Sequence, residues 1–256
     1  MLDIKNLSFS YVKGKKILDN VSFHIQEGKI ITLMGANGCG KSTLLGLMSK
    51  NLVPDSGTIS LNGRDIKDYS LKEFAQNVAV VHQRNTAPDD LTVESLVSYG
   101  RLPYTSMFLP KLDKENRGFV ERALELTDLL ELRDMPLGEL SGGQRQRAFI
   151  AMALAQNTKV IFLDEPTTFL DVRYQVEILR LVQKLNKEQN LTIVMVLHDI
   201  SQALCYSDEV IGIYEGKIVV QGKPHSVIDQ EIIHKLYGIQ LPIVQNEDGS
   251  IFVMTV

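Results

Sequence analysis

Cysteine is scarce in this sequence, and its placement argues against several kinds of site. The two cysteines, Cys39 and Cys205, form no Cys-x-x-Cys pair, which suits a reducing compartment such as the cytoplasm. Histidines without metal-ligand spacing are found at four positions: His24, His82, His225 and His234. We therefore expect neither a zinc site nor a haem site.

Long hydrophobic runs are also missing. The longest uninterrupted apolar run covers eight residues, Ala148 to Ala155, well short of the ~18 that a membrane-crossing helix needs. The first residues, MLDIKNLSFSY, alternate polar and apolar side chains and show no basic region followed by an apolar run. No secretory signal is expected, and the chain is predicted not to span a membrane by itself.

Positive charge is not in excess. Lysine and arginine number 27 against 31 acidic residues, giving a net charge of -4 and a sequence pI near 5.8. Because binding to a nucleic-acid backbone needs a concentrated basic surface, this balance argues against a nucleic-acid partner. The 256 residues can bury a full-sized core, so one domain with an additional lobe is expected.

The apolar pattern predicts an α/β fold. An antiparallel β flap is indicated near the amino terminus by alternating residues: Leu7, Phe9, Tyr11, Val21, Phe23 and Ile25. Runs typical of buried strands follow at four places: 29–34, 78–81, 160–163 and 193–197. Helical spacing lies between the last two runs: Val172, Val176, Leu179, Val182 and Leu185. Such alternation of strands and helices is typical of a parallel sheet.

The stretch from about 88 to 157 differs from its surroundings. Its apolar residues follow helical spacing and no run resembles a buried strand, as the following positions show: Phe119, Ala123, Leu126 and Leu130. We expect an inserted helical lobe at 88–157, within a domain at 1–240 whose core and flap cover 1–87 and 158–240. Hairpin patterns mark 210–222 and the end of the chain, where an Asp-Gly turn predicts a short hairpin extension at 241–256.

A phosphate-binding motif, GANGCGKST, occupies 35–43. It satisfies G-x-x-x-x-G-K-[ST] between an apolar strand and a helical pattern, the context that the motif requires. Glycines let backbone N–H groups converge on phosphate oxygens at a helix start, Lys41 can reach the β and γ phosphates, and Ser42 can ligate Mg²⁺. The alternative is an ordinary glycine turn. The predicted nucleotide-binding residues are Gly35, Ala36, Asn37, Gly38, Cys39, Gly40, Lys41, Ser42 and Thr43.

Polar side chains follow three of the predicted strands. Asp164 and Glu165 end VIFLDEP, and we expect Asp164 to hold Mg²⁺ and Glu165 to polarise an attacking water. Gln83 follows VAVVH and could contact the ion or the water, while His198 follows TIVMV and could contact the γ phosphate. The alternatives are solvated acids, a loop glutamine and a core histidine.

Two further residues are interpreted from their positions. Tyr11, expected to end the first alternating strand, offers a ring that could stack on adenine, although core or edge packing would explain it equally well. Cys39 lies inside the phosphate loop as a small residue whose thiol could be reactive.

A second glycine-rich helix start, LSGGQ, occupies 140–144. One chain cannot easily fold both loops around the same phosphate. We therefore expect a two-fold dimer in which the phosphate loop of one copy and Ser141, Gly142, Gly143 and Gln144 of the other bind the same nucleotide. Asp171, in TTFLD, is expected at the same interface.

Taken in order, Tyr11, GANGCGKST, Gln83, LSGGQ, VIFLDEP, FLD and His198 resemble the full motif set of an ATP-binding cassette (ABC) ATPase. The resemblance covers nearly the whole chain. It implies a P-loop NTPase with a RecA-like core, a β flap and an inserted helical lobe. It also implies ATP and Mg²⁺ as ligands, a head-to-tail dimer of two copies, and docking on separate integral membrane permease subunits.

Three segments, at 91–108, 166–182 and 198–224, are similar to ATPase subunits of importers for iron(III)-siderophores, haem and vitamin B12. The similarity implies a peripheral location at the cytoplasmic face of the cell membrane, with an extracytoplasmic substrate-binding protein as an indirect partner. Gly-Arg-x-Pro-Tyr at 100–104, and Phe, Tyr and Leu side chains between 102 and 112, are expected to meet the permease, unless they only pack the lobe. The alternative functions are the ATPase of an ABC exporter and a soluble, non-transport ABC ATPase.

Overall fold

The structure, a computed structural model, describes residues 1–105, 113–245 and 251–253. The chain divides into unit 1, formed by Met1–Asp68 with Thr192–Val256, and unit 2, formed by Tyr69–Leu191. Within the described residues, no helix combines the length and the hydrophobicity that crossing a bilayer requires.

Unit 1 contains both antiparallel and parallel sheet. Its strands are β1 (Leu2–Phe9), β2 (Leu18–Ile25), β3 (Ile30–Met34), β4 (Ser56–Leu61), β5 (Arg64–Asp65), β8 (Thr192–Val196), β9 (Glu209–Tyr214), β10 (Lys217–Gly222), β11 (Ile243–Gln245) and β12 (Ile251–Val253). Its α-helices are α1 (Lys41–Met48), α7 (Ile200–Tyr206), α8 (Pro224–Val227) and α9 (Gln230–Tyr237).

The expected β flap is present in unit 1, with strand order β2-β1-β4-β5. β1 and β2 are antiparallel, and their register sets Leu2 opposite Ile25. Alternate residues of β2 are buried, because successive side chains of a strand point to opposite faces. β1 ends at Phe9, however, so the expectation that Tyr11 ends this strand is wrong. The alternation continues past the last strand residue into the connection.

The second sheet of unit 1 has the order β10-β9-β3-β8. Every residue of β3 and β8 is buried, which explains their uninterrupted apolar runs. β3 lies parallel to β8 and to β9. β9 returns antiparallel as β10 through Glu215 and Gly216, both at positive φ. Two such residues suit a tight type I′ turn, so the hairpin predicted at 210–222 is confirmed.

Unit 2 combines two strands with helices. The strands are β6 (Val78–Val81) and β7 (Val160–Asp164), which are parallel. The α-helices are α2 (Leu71–Ala75), α3 (Val93–Ser98), α4 (Lys114–Leu126), α5 (Gly142–Ala155) and α6 (Val172–Gln189). α6 coincides with the predicted apolar pattern, whose members Leu179, Val182 and Leu185 are buried.

The expected helices α3, α4 and α5 lie between β6 and β7, with 3-10 turns at Tyr99–Tyr104, Leu130–Leu132 and Leu137–Glu139. In this part of the chain, the described residues form no strand. α4 contains Phe119 but ends at Leu126, and Asp128 then takes a φ of 55°. Because this left-handed residue interrupts the helix, Leu130 falls in a separate turn. The proposed lobe boundaries at 88 and 157 stay a prediction.

The carboxyl-terminal strands β11 and β12 pair antiparallel, with Ile243 opposite Val253. Val253 is buried, and its carbonyl oxygen accepts a hydrogen bond from the Ser201 hydroxyl of α7 at 3.3 Å. The predicted Asp-Gly turn at 248–249 lies outside the described residues. The extension at 241–256 as a separate region remains a prediction.

Candidate functional site

The phosphate-binding motif forms the connection between β3 and α1. Three of its glycines have positive φ: Gly35 at 138°, Gly38 at 79° and Gly40 at 112°. At Gly35 a Cβ atom would lie 2.2 Å from the carbonyl oxygen of Ile213, so a side chain cannot be accommodated there. Gly40 precedes α1 and gives it no side-chain cap. The first N–H groups of the helix therefore face no capping side chain, as an anion-binding helix start requires.

Lys41 is buried, with 5% of its surface exposed. Its ammonium group donates to the carbonyl oxygens of Gly35 at 2.7 Å and Ala36 at 3.0 Å. A buried ammonium needs such acceptors. The lysine is thereby held against the loop of its own motif, where its charge can compensate a polyphosphate.

Cys39 is buried in the same loop. Burial raises the pKa of its thiol. Because the thiolate is the nucleophilic form, this environment argues against the reactivity considered for Cys39 and favours its role as a small packing residue.

Tyr11 stands on the surface of unit 1, with 62% of its area exposed. Its hydroxyl shares a hydrogen bond with the Thr43 hydroxyl at 3.3 Å. The ring of Phe9 meets it edge-on, with 4.9 Å between ring centres. This exposure excludes core packing as the role of Tyr11, while its contact with Phe9 is compatible with edge packing. The exposed Tyr11 ring, whose hydroxyl is hydrogen-bonded to Thr43 at the end of the phosphate-binding motif, remains suited to stacking on a base.

His198 follows a strand that is paired with the strand before the phosphate loop. β3 and β8 are parallel with Leu33 opposite Val196. The segments that follow these two strands carry Gly35 and His198, and they leave the sheet at the same edge because the strands are parallel. The His198 side chain is exposed, and Asp199 caps α7 by accepting the Gln202 N–H at 2.9 Å.

Gln83 and Glu165 meet in unit 2 by the same rule. β6 and β7 are parallel with Val81 opposite Leu163, so positions two residues further along are again neighbours. The Gln83 amide donates directly to Oε2 of Glu165. The sequence patterns had placed both residues at strand ends, and the register brings them together.

Glu165 has an unusual backbone and a second donor. Its φ is 51°, a conformation that costs free energy in a non-glycine residue and is often found at functional sites. The Thr168 hydroxyl donates to its Oε2 at 3.1 Å. Sequence reasoning missed Thr168, although a hydroxyl three residues after a carboxylate is a common local partner. Asp164, the last residue of β7, is half-buried.

The second glycine-rich motif opens α5. Ser141 is its N-cap, and its hydroxyl oxygen accepts the Gln144 N–H at 3.3 Å. In return, the Gln144 side chain accepts the Ser141 N–H at 2.8 Å. This reciprocal capping box satisfies two backbone N–H groups of the motif, those of Ser141 and Gln144. Gly142 is exposed and Gly143 is buried.

Tyr174 links this motif to Asp171. Asp171 caps α6 by accepting the Tyr174 N–H at 3.2 Å. A Cβ atom at Gly143 would lie 2.4 Å from the Tyr174 ring. The ring therefore packs directly on the glycine, which has no side chain to prevent it. Tyr174 was not singled out in the sequence, because a helical tyrosine carries no signal of its packing partner.

A cavity of about 520 Å³ adjoins the same motif. Its lining includes Ser141 and Gln144 together with basic side chains of α5 and α6: Arg147, Arg173, Arg180 and Lys184. Two carboxylates, Asp128 and Glu177, also line it, and Glu177 pairs with Arg173 at 3.0 Å. The surface beside Ser141 thus carries a positive charge excess that suits an anionic ligand.

In the segment Gly-Arg-x-Pro-Tyr at 100–104, Arg101 packs inside unit 2 and is not available to a partner. Arg101 is only 3% exposed, and its guanidinium group stacks on the rings of Tyr104 and Phe119. It donates to the Asn116 side chain at 2.7 Å and to the Ala155 carbonyl at 2.6 Å. Burial lowers its pKa. Arg101 is therefore a core residue that ties α4 and α5 to the turn at 99–104.

Two residues in or directly before this segment have exposed side chains. Tyr99 is 50% exposed and Leu102 is 63% exposed. Of the apolar candidates between 102 and 112, Phe108, Leu109 and Leu112 lie outside the described residues. A docking role for the segment therefore rests on Tyr99 and Leu102 within the described part of the chain.

Comparison with known proteins gives a consistent result. The family model of the ABC transporter matches residues 18–168. The iron(3+)-hydroxamate import ATP-binding protein of Bacillus subtilis is 44% identical over 243 residues, 95% of this chain and 90% of the relative.

Two solved structures are also similar. A transporter assigned to the metal-chelate type, in an inward-facing conformation, has a TM-score of 0.84 and 28% identity, covering 98% of this chain and 95% of that one. A dimeric ATP-binding cassette in a post-hydrolysis state with ADP and phosphate has a TM-score of 0.74 and 29% identity, covering 88% and 99%. Together with the motifs and the fold, these matches establish that the chain belongs to the ABC transporter family, as one of its ATP-binding ATPase subunits.

Proposed function

We propose that the protein hydrolyses ATP to energise an ABC importer of iron(III)-siderophore or a related metal chelate, haem or cobalamin. The observation that carries the proposal is the buried Lys41 ammonium, held by two carbonyls inside a loop of left-handed glycines. This arrangement concentrates a positive charge and backbone donors where a triphosphate would bind. The substrate class is supported by the iron(3+)-hydroxamate import relative.

The proposed nucleotide site uses residues 35–43 for the phosphates and Tyr11 for the adenine ring. Its metal ligands would be the Ser42 hydroxyl, the Asp164 carboxylate and the Gln83 amide. These are hard oxygen donors and fit Mg²⁺, which takes its remaining ligands from phosphate and water. When bound, the ion would neutralise charge that develops on the phosphate oxygens.

Glu165 is the proposed residue that orients the attacking water. Its carboxylate is fixed by the Gln83 amide and the Thr168 hydroxyl, and a pre-positioned carboxylate needs little reorganisation during the reaction. Lys41 and His198 would stabilise charge on the transferred phosphoryl group. Each of these groups acts on the phosphate end of the nucleotide, which is where in-line displacement takes place.

A second copy of the chain is the proposed partner for hydrolysis. Its Ser141, Gly142, Gly143 and Gln144 would bind the nucleotide held by the first copy, with Asp171 at the same interface. Two large apolar side chains that flank Asp171 support a protein partner there, since Phe169 is 84% and Val172 74% exposed. Exposed apolar side chains next to a functional motif are typical of an interaction surface.

Integral membrane permease subunits are the proposed partners of the exposed Tyr99 and Leu102 surface. The protein would then lie peripherally at the cytoplasmic face of the cell membrane, and an extracytoplasmic substrate-binding protein would deliver the chelate to the permease. Closing of the ATP-bound dimer would drive the permease through its differential affinity for the closed state.

Reconstitution tests this proposal. The protein, co-expressed with a candidate permease of a ferric hydroxamate importer from the same genome, should co-purify with that permease and support ATP-dependent uptake of a ferric hydroxamate into vesicles. The Glu165→Gln variant should assemble but not transport. Accumulation of an exported compound in place of chelate uptake, or failure to associate with any membrane protein, would refute the importer assignment.

A further inference from the structure

Helix α9 contacts the phosphate loop at two successive residues. The Gly35 N–H donates to the Tyr237 hydroxyl oxygen at 3.2 Å. The Ala36 N–H donates to the Leu236 carbonyl oxygen, also at 3.2 Å. The end of α9 therefore holds the beginning of the loop that carries Lys41.

The packing of α9 fixes the position of its last residues. Ile233 and Leu236 are fully buried, at 0% and 1% exposure. Gly212 of β9 permits the close approach, because a Cβ atom there would lie 3.0 Å from a Leu236 methyl carbon. Asp229 caps the helix start at 2.7 Å from the Ile232 N–H, and Gly238 ends the helix with a φ of 73°. Tyr237 thus extends from a well-anchored element.

The backbone of Gly35 is held on both sides of its Cα atom. Its N–H is bound by Tyr237 and its carbonyl oxygen accepts the Lys41 ammonium at 2.7 Å. Because Gly35 is buried, its N–H would have to find another acceptor if the tyrosine hydroxyl were removed. These two groups belong to consecutive peptide units joined at the Gly35 Cα, so a change in the backbone torsion angles of Gly35 would displace the carbonyl that fixes Lys41.

The Tyr237 hydroxyl is a constant acceptor. Burial raises its pKa to about 12, so the phenol remains protonated and neutral at pH values near neutrality. The contact with Gly35 is therefore independent of pH near neutrality.

We propose that Tyr237 is a positioning residue of the ATP site, whose hydroxyl fixes the backbone of Gly35 and thereby keeps Lys41 and the phosphate loop in the conformation that binds ATP. This role rests on the proposed ATPase function. Tyr237 does not need to touch the nucleotide, since its effect is transmitted through Gly35.

The test is the Tyr237→Phe variant, which keeps the ring and removes only the hydroxyl. Binding of a non-hydrolysable ATP analogue with Mg²⁺ should weaken roughly five- to tenfold, the effect of about one hydrogen bond. KM for ATP should rise by a similar factor while kcat at saturating ATP stays unchanged. In the nucleotide-free protein, the Gly35 amide should exchange its hydrogen faster. Tyr214→Phe, which removes a more exposed hydroxyl in the same unit, is the control and should change none of these values.

The outcomes separate the two proposals. Unchanged analogue affinity in Tyr237→Phe, with or without a lower melting temperature, would overturn the positioning role while leaving the ATPase assignment intact. An unchanged exchange rate at Gly35 would overturn it as well. Failure of the unaltered protein to bind the analogue would refute the proposed function, and the positioning role with it.

Discussion

The two glycine-rich helix starts of this protein are built in opposite ways. α1 begins after Gly40, which has a left-handed conformation and supplies no side-chain cap. α5 begins after Ser141, whose hydroxyl and whose N–H are both paired with Gln144 in a complete capping box. The start of the first helix has no side-chain cap, whereas the second satisfies part of its own hydrogen-bonding potential.

This difference suggests an order of events for ATP. A loop that leads into a helix start without a side-chain cap and that holds a buried lysine can bind a triphosphate by itself. A self-capped start gains less from an anion, because the Ser141 hydroxyl already has a partner. In the proposed dimer, the ligand of this start is presented by the other copy. We therefore expect the phosphate loop to determine affinity and the Ser141 motif to determine whether a dimer closes and reacts.

Glu165→Gln leaves both helix starts intact and should have the largest effect. Loss of a positioned carboxylate base lowers turnover by roughly 10²- to 10⁴-fold, while ATP binding and dimer formation persist. Steady-state hydrolysis and equilibrium binding measure the two separately. Glu188→Gln, on the exposed surface of α6, should hydrolyse ATP normally. Hydrolysis at the native rate by Glu165→Gln would show that another group orients the water.

Lys41→Ala changes the phosphate-binding motif at the start of α1 and should reduce the affinity for ATP. Hydrogen bonds to a charged group are individually strong, so ATP affinity should fall roughly 100-fold. Titration with ATP and Mg²⁺ provides the measurement, and Lys187→Ala, an exposed lysine of α6, is the matched control. Undiminished affinity would mean that the phosphates bind elsewhere.

Ser141→Ala should have the smallest effect on binding and separates capping from catalysis. Loss of an N-cap costs about 1 kcal/mol of folding stability. Ser70 forms the same capping box with Glu73 at the start of α2, so Ser70→Ala should destabilise the protein similarly. Only Ser141→Ala should reduce hydrolysis, by roughly tenfold, with ATP affinity of the single chain unchanged.

Equal hydrolysis by the two serine variants would make Ser141 a capping residue alone. A loss of ATP affinity in the isolated Ser141→Ala chain would instead remove the distinction drawn between the two helix starts. Thermal unfolding of both variants, measured in parallel, checks that their stability losses are matched.

Much of the fold could be predicted because the apolar spacing is regular. The continuous runs of β3, β7 and β8 and the periodic pattern of α6 identified these elements correctly. The sequence placed several polar residues directly after strands, but which of them meet depends on the strand register, which the structure supplies. Gln83 and Glu165 illustrate this directly.

Other contacts have no sequence signal. Tyr237 and Gly35 are separated by 202 positions in the sequence, and neither residue type predicts a hydrogen bond between them. Arg101 is normally expected at a surface, yet two rings and two hydrogen-bond acceptors satisfy it inside unit 2. Tyr174 beneath Gly143 depends on the relative placement of two helices, which propensity alone does not specify.

The two thiols differ in exposure, and this difference permits site-specific labelling of the protein. Cys39 is enclosed, whereas Cys205 on α7 is exposed, so a maleimide dye should attach selectively to the second without any engineered cysteine. α7 begins two residues after His198. A fluorophore on this short helix would report nucleotide-driven movement close to the histidine in the native sequence.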